Sequence, residues 1–175
     1  MSTHVSGEAM VARRTAVGPL GDVGVEATAA GLRRVRLPGE PAVGDGPTDA
    51  GTAAEHAAAA AVQIAEYLTG DRVSFDLALD WNAVDQTHRR VLETLCEIAP
   101  YGTTVTYGEL GKQALVDDPR EVGVFMARNP LPLVVPCHRV VASDGLGGFG
   151  GGLELKRRLL ELEGILPPRL DLGDL

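Results

Sequence analysis

The sequence predicts an α/β N-terminal domain, built from a small antiparallel sheet plus one helix. An α-rich domain containing a helix-turn-helix follows it. Three observations carry this reading. Short β-leaning segments near the start are punctuated by glycine and proline, an Ala-rich stretch of helical length follows them, and beyond residue 85 the apolar spacing becomes helical.

In chain order, Val11–Val17, Val23–Ala27 and Leu32–Leu37 are rich in β-branched and leucine residues and are separated by Gly18-Pro19 and Gly31. They predict an antiparallel meander. Pro38 to Gly51 is rich in Gly, Pro and Asp and reads as a surface loop. Thr52–Leu68 is Ala-rich and predicts a helix ending before Gly70. Val73–Leu79 alternates apolar and polar residues like a strand. A domain boundary is expected at Asp80–Asp85, giving units 1–82 and 83–175. Gln86–Ala99 then places Val91, Leu92, Leu95 and Cys96 on one helical face. Thr106 and Glu109 have capping-box spacing, so a helix should start at Tyr107. Asp118-Pro119-Arg120-Glu121 supplies an N-cap, a proline at the first helical position and an acid in the first turn. That helix carries Val122, Phe125 and Met126 on one side and should stop at Asn129, because Pro130 disfavours helical geometry before it. Two short helices in this order resemble a helix-turn-helix, which presents its second helix to DNA. Leu153–Glu163, ended by Gly164, is a final amphipathic helix.

Composition narrows the function classes. At 175 residues and 45% hydrophobic, the chain can bury a sizeable core, and at 4% aromatic that core must be mostly Leu, Val and Ala. There is no apolar run of about eighteen residues to span a membrane, and the start has no apolar stretch of signal-peptide kind. The two cysteines, Cys96 and Cys137, are then expected to be free thiols in the cytoplasm. The net charge of −8 is a poor global match to a nucleic-acid binder. Its distribution is uneven, however. Residues 1–81 hold six basic and eleven acidic groups, residues 82–164 nine and eleven, and Arg120–Arg139 turns locally positive, with three arginines against Glu121. A positive stripe on an acidic body is compatible with DNA, with modest, salt-sensitive affinity.

The densest chemistry lies in the run from Asn129 to Val141, where Pro130, Pro132 and Pro136 stiffen an apolar approach to Cys137-His138-Arg139. A free thiol has a pKa of about 8.5 and is a few per cent thiolate at neutral pH, so a nucleophilic cysteine needs a base or cation beside it. His138 and Arg139 are the candidates. By itself the dipeptide describes a core cysteine next to a surface histidine better than it describes a nucleophile with its base.

Its context changes that balance. Pro136-Cys137-His138-Arg139-Val140 resembles the active-site signature of the O6-alkylguanine-DNA alkyltransferases, also called methylated-DNA–protein-cysteine methyltransferases. The resemblance extends upstream through Tyr101-Gly102, Thr106-Tyr107-Gly108-Glu109-Leu110, Arg120-Glu121-Val122-Gly123 and Arg128-Asn129-Pro130. Downstream it takes in Gly148-Phe149-Gly150-Gly151-Gly152-Leu153, Lys156-Arg157-Arg158-Leu159-Leu160 and Glu163-Gly164. It covers roughly Asp85 to Gly164, and the N-terminal part matches in outline.

The resemblance implies an α-rich alkyltransferase domain that repairs double-stranded DNA by moving the alkyl group of O6-alkylguanine, with O4-alkylthymine as a further candidate, irreversibly onto Cys137. His138 would take the thiol proton through a water, with Glu163 orienting the imidazole. Tyr107 would donate its hydroxyl to the departing guanine. Arg120 would enter the base stack as the damaged base flips out. Asn129 would tie the second helix to the cysteine segment, and Thr106, Gly123 and Arg128 would face DNA. Pro132, Val140, Phe149, Gly150 and Gly151 would wall the base pocket. No cofactor or metal, no membrane and no obligate protein partner is implied; Gly150 stands where many members carry serine, and Val124-Phe125-Met126-Ala127 is bulkier than the residues often found there. Three rivals accompany this reading: an alkyltransferase-like protein that senses damage without transfer, a helix-turn-helix regulator with a redox-sensing cysteine, and, last, a cysteine hydrolase, for which no oxyanion-hole motif accompanies the Cys-His pair.

Overall fold

The computed structural model describes residues 11–41 and 51–169. Most of the Pro38–Gly51 loop expected from sequence lies outside them. Strands β1 (Ala12–Ala16), β2 (Val23–Thr28) and β3 (Gly31–Arg36) form an antiparallel sheet in that order, pairing Ala12 with Ala27 and Val25 with Val35. This is the predicted meander. Its buried face, Ala12, Ala16, Val23, Val25, Ala27, Leu32 and Val35, packs on helix α1 (Thr52–Leu68). Small residues Ala53, Ala57 and Ala60 line that side of α1, so the helix lies close to the sheet before Ile64, Tyr67 and Leu68 fill its C-terminal end.

Val73–Leu79 departs from expectation. Alternation is present, with Phe75, Leu77 and Leu79 half-buried and the residues between them exposed, but the segment is extended chain with a single bridge to Leu32. The reason is local: the Gln63 side chain takes both backbone polar groups of Asp76, at 2.9 Å each, so no neighbouring strand is needed to satisfy them. Where the segment does meet β3, Leu32 donates to Ala78 and receives from Asp80, both at 2.8 Å. Gly31 (φ +142°) makes that approach possible, since a Cβ there would stand 2.4 Å from the Ala78 carbonyl oxygen.

Helix α2 (Gln86–Ile98) starts on its Asp85 cap and buries His88, Val91, Leu92 and Leu95. Cys96, expected on that face, is exposed. The buried stripe runs on to Ala99, which puts Cys96 past its edge. A two-residue strand β4 (Val105–Thr106) leads into α3 (Tyr107–Ala114), whose Thr106–Glu109 capping box is fully formed. Leu115 closes α3 in the left-handed region (φ 57°) with its side chain exposed. Helix α4 (Pro119–Ala127) follows on its Asp118 cap with proline in the first turn, and the pair forms the expected helix-turn-helix. Phe125 stacks on His88 with ring centroids 5.0 Å apart, and Met126 is buried. The bulk noted in this helix therefore turns inward, and Val124 and Ala127 occupy the outer face.

Strand β5 (Val140–Val141) pairs in parallel with β4, fastening the cysteine segment to the start of the helix-turn-helix. Helix α5 (Leu153–Leu162) is capped by Glu163 and stopped at Gly164. The sheet side also reaches across: Val35 N–H donates to the Pro130 carbonyl at 2.8 Å, just past α4. No helix among the described residues is long and apolar enough to cross a membrane.

Candidate active site

Cys137 opens a single 3-10 turn, Cys137–Arg139, behind Pro136. It is 7% exposed. Its position is set from two sides. The Asn129 side chain donates to Val135 at 3.0 Å and accepts from the Leu131 N–H at 2.9 Å, so the end of α4 is stapled to the cysteine segment. Leu133 (φ 73°) bends the chain between them with its side chain buried.

Next to the thiol lies a buried network of polar side chains. His138 is fully buried, and its Nε2 stands 2.7 Å from Glu163 Oε1. Arg139 grips the same carboxylate, Nε to Oε2 and Nη2 to Oε1, each at 2.9 Å, and spends Nη1 on the Ala99 carbonyl at 2.7 Å. The Tyr67 hydroxyl donates to Glu163 Oε1 at 2.6 Å. Burial alone would raise the Glu163 pKa, but hydrogen bonds from His138, Arg139 and Tyr67 outweigh it and hold the carboxyl at about 2. Burial lowers the His138 pKa, helped by Arg139 and Lys156 and opposed by Glu163. An ionised carboxylate at Nε2 makes that nitrogen the donor. The imidazole is then neutral with Nδ1 as a bare acceptor, and Nδ1 has no hydrogen-bond partner among the described residues.

Lys156 is the second cation of the site. It is fully buried, with Nζ donating to the Val140 carbonyl at 2.6 Å and the Gly148 carbonyl at 3.0 Å. Burial lowers its pKa to about 8, against the attraction of Cys137. Burial pushes the Cys137 thiol up; the Asn129 side chain and the Lys156 charge pull it back. The thiol therefore needs a base to react.

Two cavities share Cys137 as a wall. One, of about 280 Å³, is lined by Cys137, Tyr107, Gly123 and Met126 with the Gly148–Gly150 loop. The Tyr107 hydroxyl lies against this loop, where a Cβ on Gly147 would stand 3.1 Å from it, and burial and the nearby Cys137 raise its pKa, so it stays protonated. The other cavity, of about 270 Å³, runs from Cys137 past Asn129, Arg128, Pro132 and Phe149 to Arg34 and Leu37 of the sheet side. Of the expected wall residues, Pro132, Phe149 and Gly150 line these cavities. Val140 is fully buried and lines neither, its carbonyl serving Lys156. Gly151 lines neither as well, since a Cβ there would press on Leu155 and Leu37 at 2.8 and 2.9 Å, which marks it as a packing position. Thr106 caps α3, and Arg120 and Arg128 are exposed on α4 and its C-cap.

Arg139, expected beside the thiol, holds Glu163 instead. Lys156 and Tyr67 carried no expected role. Lys156 had a readable signal, since it shares the buried stripe of α5 with Leu159, Leu160 and Glu163. Tyr67 had none, because its partners lie 71 and 96 residues away.

The site thus brings a helix-turn-helix, the kind of element that docks on DNA, beside a buried cysteine whose neighbour His138 pairs with a carboxylate. Comparison with known proteins gives this arrangement a family. Residues 86–165 match the model described as 6-O-methylguanine DNA methyltransferase, DNA binding domain. A methylated-DNA–protein-cysteine methyltransferase of Methanopyrus kandleri is 56% identical over 103 residues, which span 59% of this chain and 77% of that protein. The corresponding protein of Methanothermobacter thermautotrophicus is 48% identical over 57% of this chain and 56% of its own length. Among solved structures, the Mycobacterium tuberculosis O6-methylguanine methyltransferase superposes with a TM-score of 0.73 at 32% identity, covering 94% of this chain and all of that one. M. tuberculosis OGT in complex with DNA gives a TM-score of 0.72 at 31% identity, over 86% of this chain and 91% of the other. The chain belongs to the O6-methylguanine DNA methyltransferase family.

Proposed function

We propose that this chain repairs alkylated DNA by direct reversal, taking the alkyl group from O6 of a flipped guanine onto Cys137. The observation that carries the reading is the buried Cys137 lining two cavities, with Tyr107 lining one of them and the buried His138–Glu163 pair beginning at the next residue. Relatives named methylated-DNA–protein-cysteine methyltransferases, and a neighbour solved with DNA, point to the same chemistry.

In the proposed step the thiol proton passes through a water to His138 Nδ1 while sulfur attacks the alkyl carbon in line. The S–C bond forms, the C–O6 bond breaks, and the electron pair leaves with guanine, whose developing charge meets the Tyr107 hydroxyl. The proton lost by the thiol ends on the restored guanine. Lys156 steadies the thiolate in transit. Arg120, at the exposed start of α4, would fill the place of the extruded base. A thioether offers no route back to thiol, so each molecule acts once, and no step calls for a cofactor. The second unit, 83–175, carries the chemistry, and unit 1–82 supports it. Both cysteines are free, which suits a reducing compartment, so we assign the chain to the cytoplasm.

The test is intact-protein mass after incubation with a duplex carrying one O6-methylguanine, followed by peptide mapping. A gain of one methyl group confined to Cys137 is expected. No gain with lesion-selective binding intact would turn the reading to damage sensing.

A further inference from the structure

The transfer step leaves unused a buried hydroxyl that touches its own base. The Tyr67 hydroxyl sits between His138 and Glu163, donating to Glu163 Oε1 at 2.6 Å and standing 3.2 Å from His138 Nε2. Tyr67 belongs to the last turn of α1, on the sheet side of the molecule, and is fully buried. Phe75 at 5.4 Å and an edge-on Tyr101 at 6.3 Å hold its ring, so the position of the hydroxyl is fixed by packing.

We infer that Tyr67 is a positioning residue for alkyl transfer: it clamps Glu163 Oε1 so that His138 keeps Nε2–H on the carboxylate and presents a bare Nδ1 to the thiol side. The inference rests on the reading of Cys137 as nucleophile and His138 as its base. The charged and titratable groups around His138 are Glu163 at the end of α5, Cys137 and Arg139 in the same turn, Lys156 of α5 and Tyr67 of α1. Arg139 and Lys156 disfavour an imidazolium, and Glu163 favours one. Glu163 Oε1 is shared among three donors, His138, Arg139 and Tyr67. Each shared donor weakens the pull of the carboxylate on the imidazole proton, so the Tyr67 hydroxyl helps keep His138 neutral as well as oriented. Burial beside Glu163 keeps that hydroxyl protonated, and therefore a donor, at any working pH. On this account α1 is more than a support, because it completes the proton-accepting end of the site.

Tyr67→Phe tests this, because it keeps the ring and removes the hydroxyl. Transfer from free O6-benzylguanine should slow roughly ten- to a hundredfold, the cost of a loosened base. Duplex binding should be unchanged. The acid limb of the pH–rate profile should move to higher pH, because an undiluted Glu163 raises the His138 pKa. Nitrogen-15 NMR of His138 should show a neutral, Nε2-protonated ring in the native protein and a higher titration midpoint in the variant. In a Glu163→Gln background the same substitution should cost nothing further, since Tyr67 acts through that carboxylate. A packing role alone predicts unchanged rate, profile and titration, and that result would overturn the inference. A slower rate with unaltered His138 titration would overturn it too. Should Tyr67→Phe not fold, an Nδ1-protonated His138 in the native protein would do the same. If the native protein takes up no alkyl group, the His138 titration still decides the role of Tyr67, and the failure belongs to the proposed function.

Discussion

Lys156 shows how opposing residue-level terms are weighed. An ammonium taken out of water is costly, as its pKa of about 8 records, yet it satisfies two buried carbonyls. Lys156→Met removes the charge penalty and leaves the carbonyls of Val140 and Gly148 without their donor, a loss of about 1–3 kcal/mol. The two terms offset, so urea unfolding should shift by no more than about 1 kcal/mol. Transfer to Cys137, which loses the cation holding its pKa down, should slow markedly when measured on the same preparation. Glu163 gives the second residue-scale prediction. Its folded pKa, about 2, lies below the ordinary 4.5, so its stabilising contribution is full above pH 4.5 and is lost between 4.5 and 2. His138, lowered from 6.5, adds a loss beginning below 6.5, because the unfolded chain binds that proton first. Urea midpoints taken downward from neutral pH should therefore fall through both windows, and Glu163→Gln should flatten the lower one.

Among the elements, α4 has the clearest division of labour. Its inward side is committed to packing through Val122, Phe125 and Met126, so its outer residues are free for DNA. Arg120→Ala should leave reaction with free O6-benzylguanine nearly intact and slow repair of a duplex lesion strongly, because a free base needs no extrusion. Equal losses on both substrates would remove the intercalating role. The elements also show what sequence can carry. Caps at Asp85, Thr106 and Asp118 were legible because cap and partner lie within three residues of one another. The extended 73–79 segment was misread as a strand because alternation reports which residues are buried and says nothing of whether Gln63 or a neighbouring strand takes the backbone groups. Cys137, His138 and Glu163 were legible through family motif. Tyr67 and the true partner of Arg139 depend on how distant elements dock, which no local spacing encodes.

For the molecule as a whole, net charge and DNA binding pull in opposite directions. An acidic body of −8 carries exposed Lys112, Arg120 and Arg128 on or beside the helix-turn-helix. With about two or three phosphate contacts, log affinity against log salt should fall with a slope of roughly −2 to −3. A slope steeper than about −5 would require a basic surface elsewhere. The turn inside the helix-turn-helix has a different consequence. Leu115 sits left-handed and solvent-exposed, a conformation that costs a non-glycine residue about 1–2 kcal/mol. Leu115→Gly should return about 1 kcal/mol of it, a rise of roughly 2–4 °C in a thermal melt. Engineers usually surrender catalytic speed for durability, because a working enzyme must keep moving between turnovers. A protein consumed by its own reaction has no second cycle to protect. Its useful output is the number of intact copies in store when damage arrives, so shelf life is capacity, and that turn is the first place to extend it.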